Sequence, residues 1–74
     1  MWGPSARKIF SELAKTKSVY SGEHRDKILG QLYRNLDVVL QRENSRAILR
    51  RMRTLLHNID SIAQAAATVL SEAG

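Results

Sequence analysis

Seventy-four residues without a cysteine make a single small domain that buries only about 60% of the surface its unfolded form exposes. Disulfide staples are excluded, and His24 and His57 lie far apart in sequence for a structural metal, so oligomerisation or a partner is the expected remedy for a marginal core. Twelve Lys and Arg against seven Asp and Glu leave a formal net charge of +5, which bears on partners rather than on fold, and no apolar run approaches the roughly 18 residues of a membrane span.

The opening Met1-Trp2-Gly3-Pro4 joins nothing periodic and lacks the apolar core of a signal peptide, so residues 1–4 read as a disordered tail or an appended remnant. From Ser5, a fitting cap, Ala6, Ile9, Phe10 and Leu13 form a short apolar stripe that predicts a first helix over about residues 5–17. Arg7 and Lys8 in its first turn oppose the helix dipole, and this helix is expected to order only when docked. Val19 and Tyr20 read as plugs for the open end of a bundle.

A second helix is predicted over about residues 21–42, with Ile28, Leu29, Leu32, Tyr33, Leu36, Val39 and Leu40 on one face. Ser21 is its expected N-cap, and Glu23 and Asp26 complement the positive end of the dipole. Gly30 costs about 1 kcal/mol inside a helix, which predicts the close approach of another helix there.

Residues 41–45 contain no strong breaker. Continuing the Leu29, Leu32, Leu36, Val39 seam would nevertheless bury Glu43 and Arg46, whereas the next seam restarts at Ile48. A turn, with Asn44 or Ser45 capping the following helix, brings both faces to one core. The alternative is a bent helix of about fifty residues, on the order of 75 Å long, sustained only in an oligomer. The third helix is expected to run unbroken over about residues 45–72, because Ile48, Met52, Leu55, Ile59, Ile62, Ala66 and Val69 keep heptad spacing. Leu49, Leu56, Ala63 and Leu70 widen that stripe into a bundle face. The expected fold is all-α: an antiparallel helical hairpin with a short N-terminal helix, like a three-helix bundle, completed by oligomerisation or a partner.

Two surfaces are candidates for binding. The apolar face, Met52, Leu55, Leu56, Ile59, Ile62, Ala63, Ala66, Val69 and Leu70, would dock another helical protein or a second copy wherever the chain leaves it uncovered. The small side chains Ala63, Ala65, Ala66 and Ala67 permit close approach. On the opposite side, Arg42, Arg46, Arg50, Arg53 and His57 recur at helical spacing, with Arg51 to one side. An arginine fork holds carboxylate or phosphate bidentately. This hairpin tip is therefore a candidate site for an acidic protein or for nucleic acid, beside the plainer reading of a solvated face.

Catalysis is not expected. The sequence has no glycine-rich phosphate loop and no paired catalytic acids, Asp60 is the only carboxylate within a helical turn of His57, and His24 has no second ligand at metal spacing. No cofactor, metal or small-molecule substrate follows from these residues. The expected function is a small helical protein–protein interaction module, an adaptor, co-chaperone-like protein or self-associating subunit. Nucleic-acid binding through the arginine tip is the alternative. The lack of cysteine fits a reducing, cytoplasmic setting.

Leu32-Tyr33-Arg34 is similar to the signature tripeptide of the mitochondrial LYR-motif adaptors, three-helix proteins that present partners for iron–sulfur assembly and respiratory complexes. The resemblance implies an adaptor role. Here the tripeptide lies on the second helix rather than the first, and a leucine such as Leu56 stands where that family has phenylalanine. In size and hairpin pattern the chain also resembles helical co-chaperones of bacterial secretion systems, which cover an aggregation-prone partner.

Overall fold

Pro4, whose fixed φ suits a first helical turn and which has no N–H to satisfy, opens helix α1, Pro4–Val19. The computed structural model describes residues 3–73, so Met1 and Trp2 of the expected tail lie outside the described residues. Gly3 and Pro4 belong to the fold, with Gly3 and not Ser5 at the N-cap. The first turn of α1 holds no acidic residue, and compensation comes from across the molecule, where the Gly3 N–H donates to Glu43 Oε1 at 3.0 Å. This places a carboxylate at the positive end of the dipole. A Cβ on residue 3 would meet that carboxylate, so any larger residue there requires the Glu43 side chain to shift.

Helix α2, Gly22–Arg42, follows after only Tyr20 and Ser21. Gly22 adopts a φ of 60°, a left-handed conformation that costs a residue with a Cβ about 1–2 kcal/mol and lets the chain reverse at once. Ser21 occupies the N-cap position as expected, although its side chain makes no cap hydrogen bond. At the far end Asn44 is left-handed at φ 58°. The Ser45 N–H donates to Leu40 O at 2.8 Å and the Asn44 N–H to Gln41 O at 3.1 Å, the paired bonds of a Schellman ending. The turn read from the seam offset is present, and Asn44 closes α2 rather than capping the next helix.

The expected unbroken third helix is two helices. Helix α3 spans Arg46–Leu55, Leu56 is extended, and a single 3₁₀ turn, Ile59–Ser61, leads into helix α4, Ile62–Ala73. The cause is a capping box. Ser61 N–H donates to Asn58 Oδ1 at 3.1 Å, and Asn58 N–H donates back to Ser61 Oγ at 3.1 Å. Because the Asn58 side chain offers the backbone an alternative to continuing the helix, the chain restarts there. Heptad spacing survives on both sides of the break and so conceals it. An intact helix over 28 residues would measure about 42 Å, longer than the 33 Å molecule.

Folding back at residues 56–58 sets α4 antiparallel to α3, and the four helices run up, down, up, down. Helix α1 packs most extensively on α4 and next on α2. It sends Ala6, Phe10 and Leu13, all fully buried, into a core with Leu29, Leu36, Leu40, Met52 and Ala66. Burying one such Phe, Leu or Met side chain contributes about 1.5–3 kcal/mol, so α1 is one wall of the bundle rather than an accessory. Ala63, Ala65 and Ala66, nearly or fully buried, keep the face of α4 shallow enough for α1 to close on it. The one fully buried polar side chain of α1, Thr16, donates to Glu12 O at 2.9 Å. A radius of gyration of 11.2 Å matches the roughly 11 Å of a folded chain this long.

Two expectations are corrected by what stands next to the residues concerned. Among the described residues no helix approaches Gly30, around which a Cβ would meet nothing within 4 Å, and nothing in the structure explains a glycine there. Gly30→Ala is therefore expected to stabilise the protein by about 0.4–1 kcal/mol, a gain that urea titration resolves. Val19 and Tyr20 are not plugs: they are 63% and 37% exposed, because the tight α1–α2 turn carries them past the end of the core.

Candidate functional site

The apolar face of residues 48–70 is filled largely from within the chain. Met52, Ile62, Ala63, Ala66 and Val69 are buried, and Leu55, Leu56 and Leu70 are half-buried against the same cluster. Only Ile59, 40% exposed, turns clearly outward, because the 3₁₀ turn takes it off the seam. The α4 part of that strip, Ile62 to Leu70, belongs to the helix on which α1 packs most extensively.

The arginines divide. Arg46, Arg50 and Arg53 line one groove of about 390 Å³ between the end of α2 and α3, together with Gln41 and Leu49. Leu49, 5% exposed, forms an apolar floor. Arg46 and Arg50 stand one helical turn apart and, among the described residues, neither has a carboxylate partner, whereas their neighbours Arg51 and Arg53 do. Arg53 Nη2 lies 3.2 Å from Asp37 Oδ2. Asp37 also accepts from the Gln41 side-chain amide through Oδ1, so one half-buried carboxylate positions two groove side chains. Its hydrogen bond, reinforced by Tyr33 and by its charge, holds Arg53 still more firmly protonated than a free arginine.

Arg42 and Arg51, grouped with the others by sequence, do not line this groove. Arg51 follows Arg50 by about 100° around the helix and faces α4, where its Nε and Nη2 donate to the two oxygens of Glu72 at 2.9 and 2.7 Å. That bidentate pair raises the Arg51 pKa and, chiefly through the hydrogen bond, lowers the Glu72 pKa below its ordinary 4.5. A depressed folded-state pKa contributes stability above the unfolded value, and that stability is lost as pH falls through the folded value. Wild type is expected to melt slightly above Glu72→Gln at pH 7, with the two curves converging below about pH 4. The difference is small, since both partners are 46% exposed and water screens the pair.

The start of α3 adds to the positive potential at the groove. Helix α3 begins at Arg46 with no acidic residue in its first turn, and Ser45 at its N-cap makes no side-chain hydrogen bond to it. A cation at the positive end of a helix dipole is unfavourable, as is the like-charge pair Arg46 and Arg50 at i and i+4. The groove therefore suits an anion. Sequence reasoning found its arginines but missed Gln41, Leu49 and the positioning carboxylate of Asp37, although Asp37 and Gln41 stand at i and i+4.

A second groove, of about 380 Å³ and mainly apolar, lies between α1 and α2, lined by Glu12, Lys15, Thr16, Val19, Tyr20, Ile28 and Leu32. The Tyr20 ring meets His24 edge-on with centroids 5.2 Å apart, and His24 is exposed beside it. Of the tripeptide Leu32-Tyr33-Arg34, Leu32 lines this groove, Tyr33 packs against the core and Arg34 Nε reaches Gly30 O at 3.4 Å. Its residues are thus used in separate places. Among the described residues no group of three His, Cys, Asp or Glu could hold a metal ion, and no helix is long and apolar enough to cross a membrane.

Fold and grooves together define an all-α, up-and-down four-helix bundle with an arginine-lined groove at one corner. No protein-family model matches the chain, nor does any curated protein or solved structure.

Proposed function

We propose that this chain is a small protein–protein interaction module that docks an acidic segment of a partner in the groove of Arg46, Arg50 and Arg53. The observation that carries this reading is the pair Arg46 and Arg50, without counter-ions among the described residues at the start of α3, where no side chain caps the helix, and lining a concave surface with an apolar floor. Such an arrangement costs stability in the free protein. A bound carboxylate-bearing segment removes that cost and adds charge-assisted hydrogen bonds. The apolar groove between α1 and α2 offers shape, whereas the arginine groove offers a definite chemistry. The role is one of recognition, without a catalytic step.

Protein is favoured over nucleic acid by scale and by composition. Two uncompensated arginines and a third shared with Asp37 fall short of the 6–10 phosphate contacts of a typical duplex-binding site. Among the described residues no aromatic side chain lines the groove to stack an unpaired base.

Fluorescence anisotropy with a labelled glutamate-rich peptide, and with single- and double-stranded oligonucleotides at 50 and 300 mM salt, tests the reading. Peptide binding that weakens modestly with salt and exceeds oligonucleotide binding at 300 mM supports it. Tighter oligonucleotide binding with a steep salt slope would replace the partner by nucleic acid.

A further inference from the structure

We propose that the anion for which this groove is formed is a phosphomonoester, carried as phosphoserine or phosphothreonine on the partner segment; the inference rests on the acidic-partner reading above. Charge balance is the first reason. Arg46, Arg50 and Arg53 face the groove, and Asp37 offsets one of them, which leaves two positive charges to be met. A phosphomonoester brings about −1.5 to −2 at pH 7, whereas a single carboxylate brings about −1 and leaves a cation unmatched.

Geometry is the second reason. A run of carboxylates along an extended segment calls for cations strung along a track. Here three arginines from two consecutive turns of one helix line a single concave volume of about 390 Å³. Each fork seeks two oxygens, and the three terminal oxygens of a phosphomonoester serve several forks around one cavity better than the two of a carboxylate. Gln41, anchored through its amide by Asp37, lines the same wall. Leu49 beneath suits the methylene of serine or the methyl of threonine. A phosphodiester, with one charge per phosphate, matches this balance no better than a carboxylate.

The test follows the arginine side-chain resonances of the full chain by NMR during titration with N-acetyl-phosphoserine amide, N-acetyl-glutamate amide, inorganic phosphate and a glutamate-rich peptide. The phosphoserine probe is expected to bind at least ten-fold more tightly than the glutamate probe and more tightly than inorganic phosphate. Its affinity is expected to fall several-fold between pH 7.5 and 5.5, as the phosphate protonates near its second pKa of about 6, while glutamate binding stays level. Arg46→Gln with Arg50→Gln is expected to abolish the difference between probes. Equal binding of the two amino-acid probes overturns the phosphate inference and leaves the acidic-partner reading intact. Inorganic phosphate binding more tightly than phosphoserine overturns the peptide source. Silence of every probe, the glutamate-rich peptide included, removes both readings.

Discussion

Phe10→Ala is expected to abolish cooperative folding. The ring is fully buried and belongs to the helix that packs most extensively on α4. Removing it costs about 3–5 kcal/mol, the lost transfer energy plus the cavity left behind. A core of this size supplies about 3–5 kcal/mol in all, so the loss matches the whole stability. Circular dichroism on heating should show a broad, weak transition in place of a cooperative one. A variant that melts sharply within a few degrees of wild type would mean that α1 is peripheral, as its short apolar stripe alone suggests. The comparison therefore separates an internally closed bundle from a hairpin awaiting a partner.

Exchanging both groove arginines, Arg46→Gln with Arg50→Gln, is expected to move stability and binding in opposite directions. Gln has nearly the helix propensity of Arg, so the change reports on charge rather than on helix formation. Relief of the cation at the start of α3 and of the i,i+4 repulsion is expected to stabilise the free protein by about 0.5–1 kcal/mol, which raises Tm by a few degrees in a domain this small. Binding of an acidic peptide should weaken at least ten-fold, because two charge-assisted hydrogen-bonding groups are lost. Gain of stability with loss of binding is what a functional site under local strain produces. A variant that binds as wild type does would reduce the row to a solvated face.

What was legible in the sequence, and what was not, follows the range of the interactions concerned. Periodicity is local, and it located α2, the start of α3 and the seam offset that demands a turn at residues 43–45. The break at residues 56–58 escaped it because Asn58 and Ser61 act through side-chain bonds to the backbone, which leave the heptad pattern intact; an Asn followed three residues later by Ser was the available signal. The weight of α1 escaped for a different reason. Its helix start is supported by Glu43, forty residues away, and its stripe is short because it meets the small alanines of α4. In the same way the arginine row was visible, while its division was not: Arg51 goes to Glu72 and Arg53 to Asp37, both long-range pairings. The groove forms where α2 brings Asp37 to Arg53 and Gln41 to the groove wall.

The central claim, that the arginine groove receives an acidic segment of another protein, is tested most directly by mapping where such a segment binds. Backbone amide shifts of the isotopically labelled full chain would be followed during titration with a glutamate-rich peptide at about 100 mM salt, where exposed charges more than about 10 Å apart are screened. Perturbations confined to Gln41, Arg46, Leu49, Arg50, Arg53 and their immediate neighbours are the predicted result. Perturbations centred on Val19, Tyr20, Ile28 and Leu32 instead would contradict the account and move recognition to the apolar groove between α1 and α2.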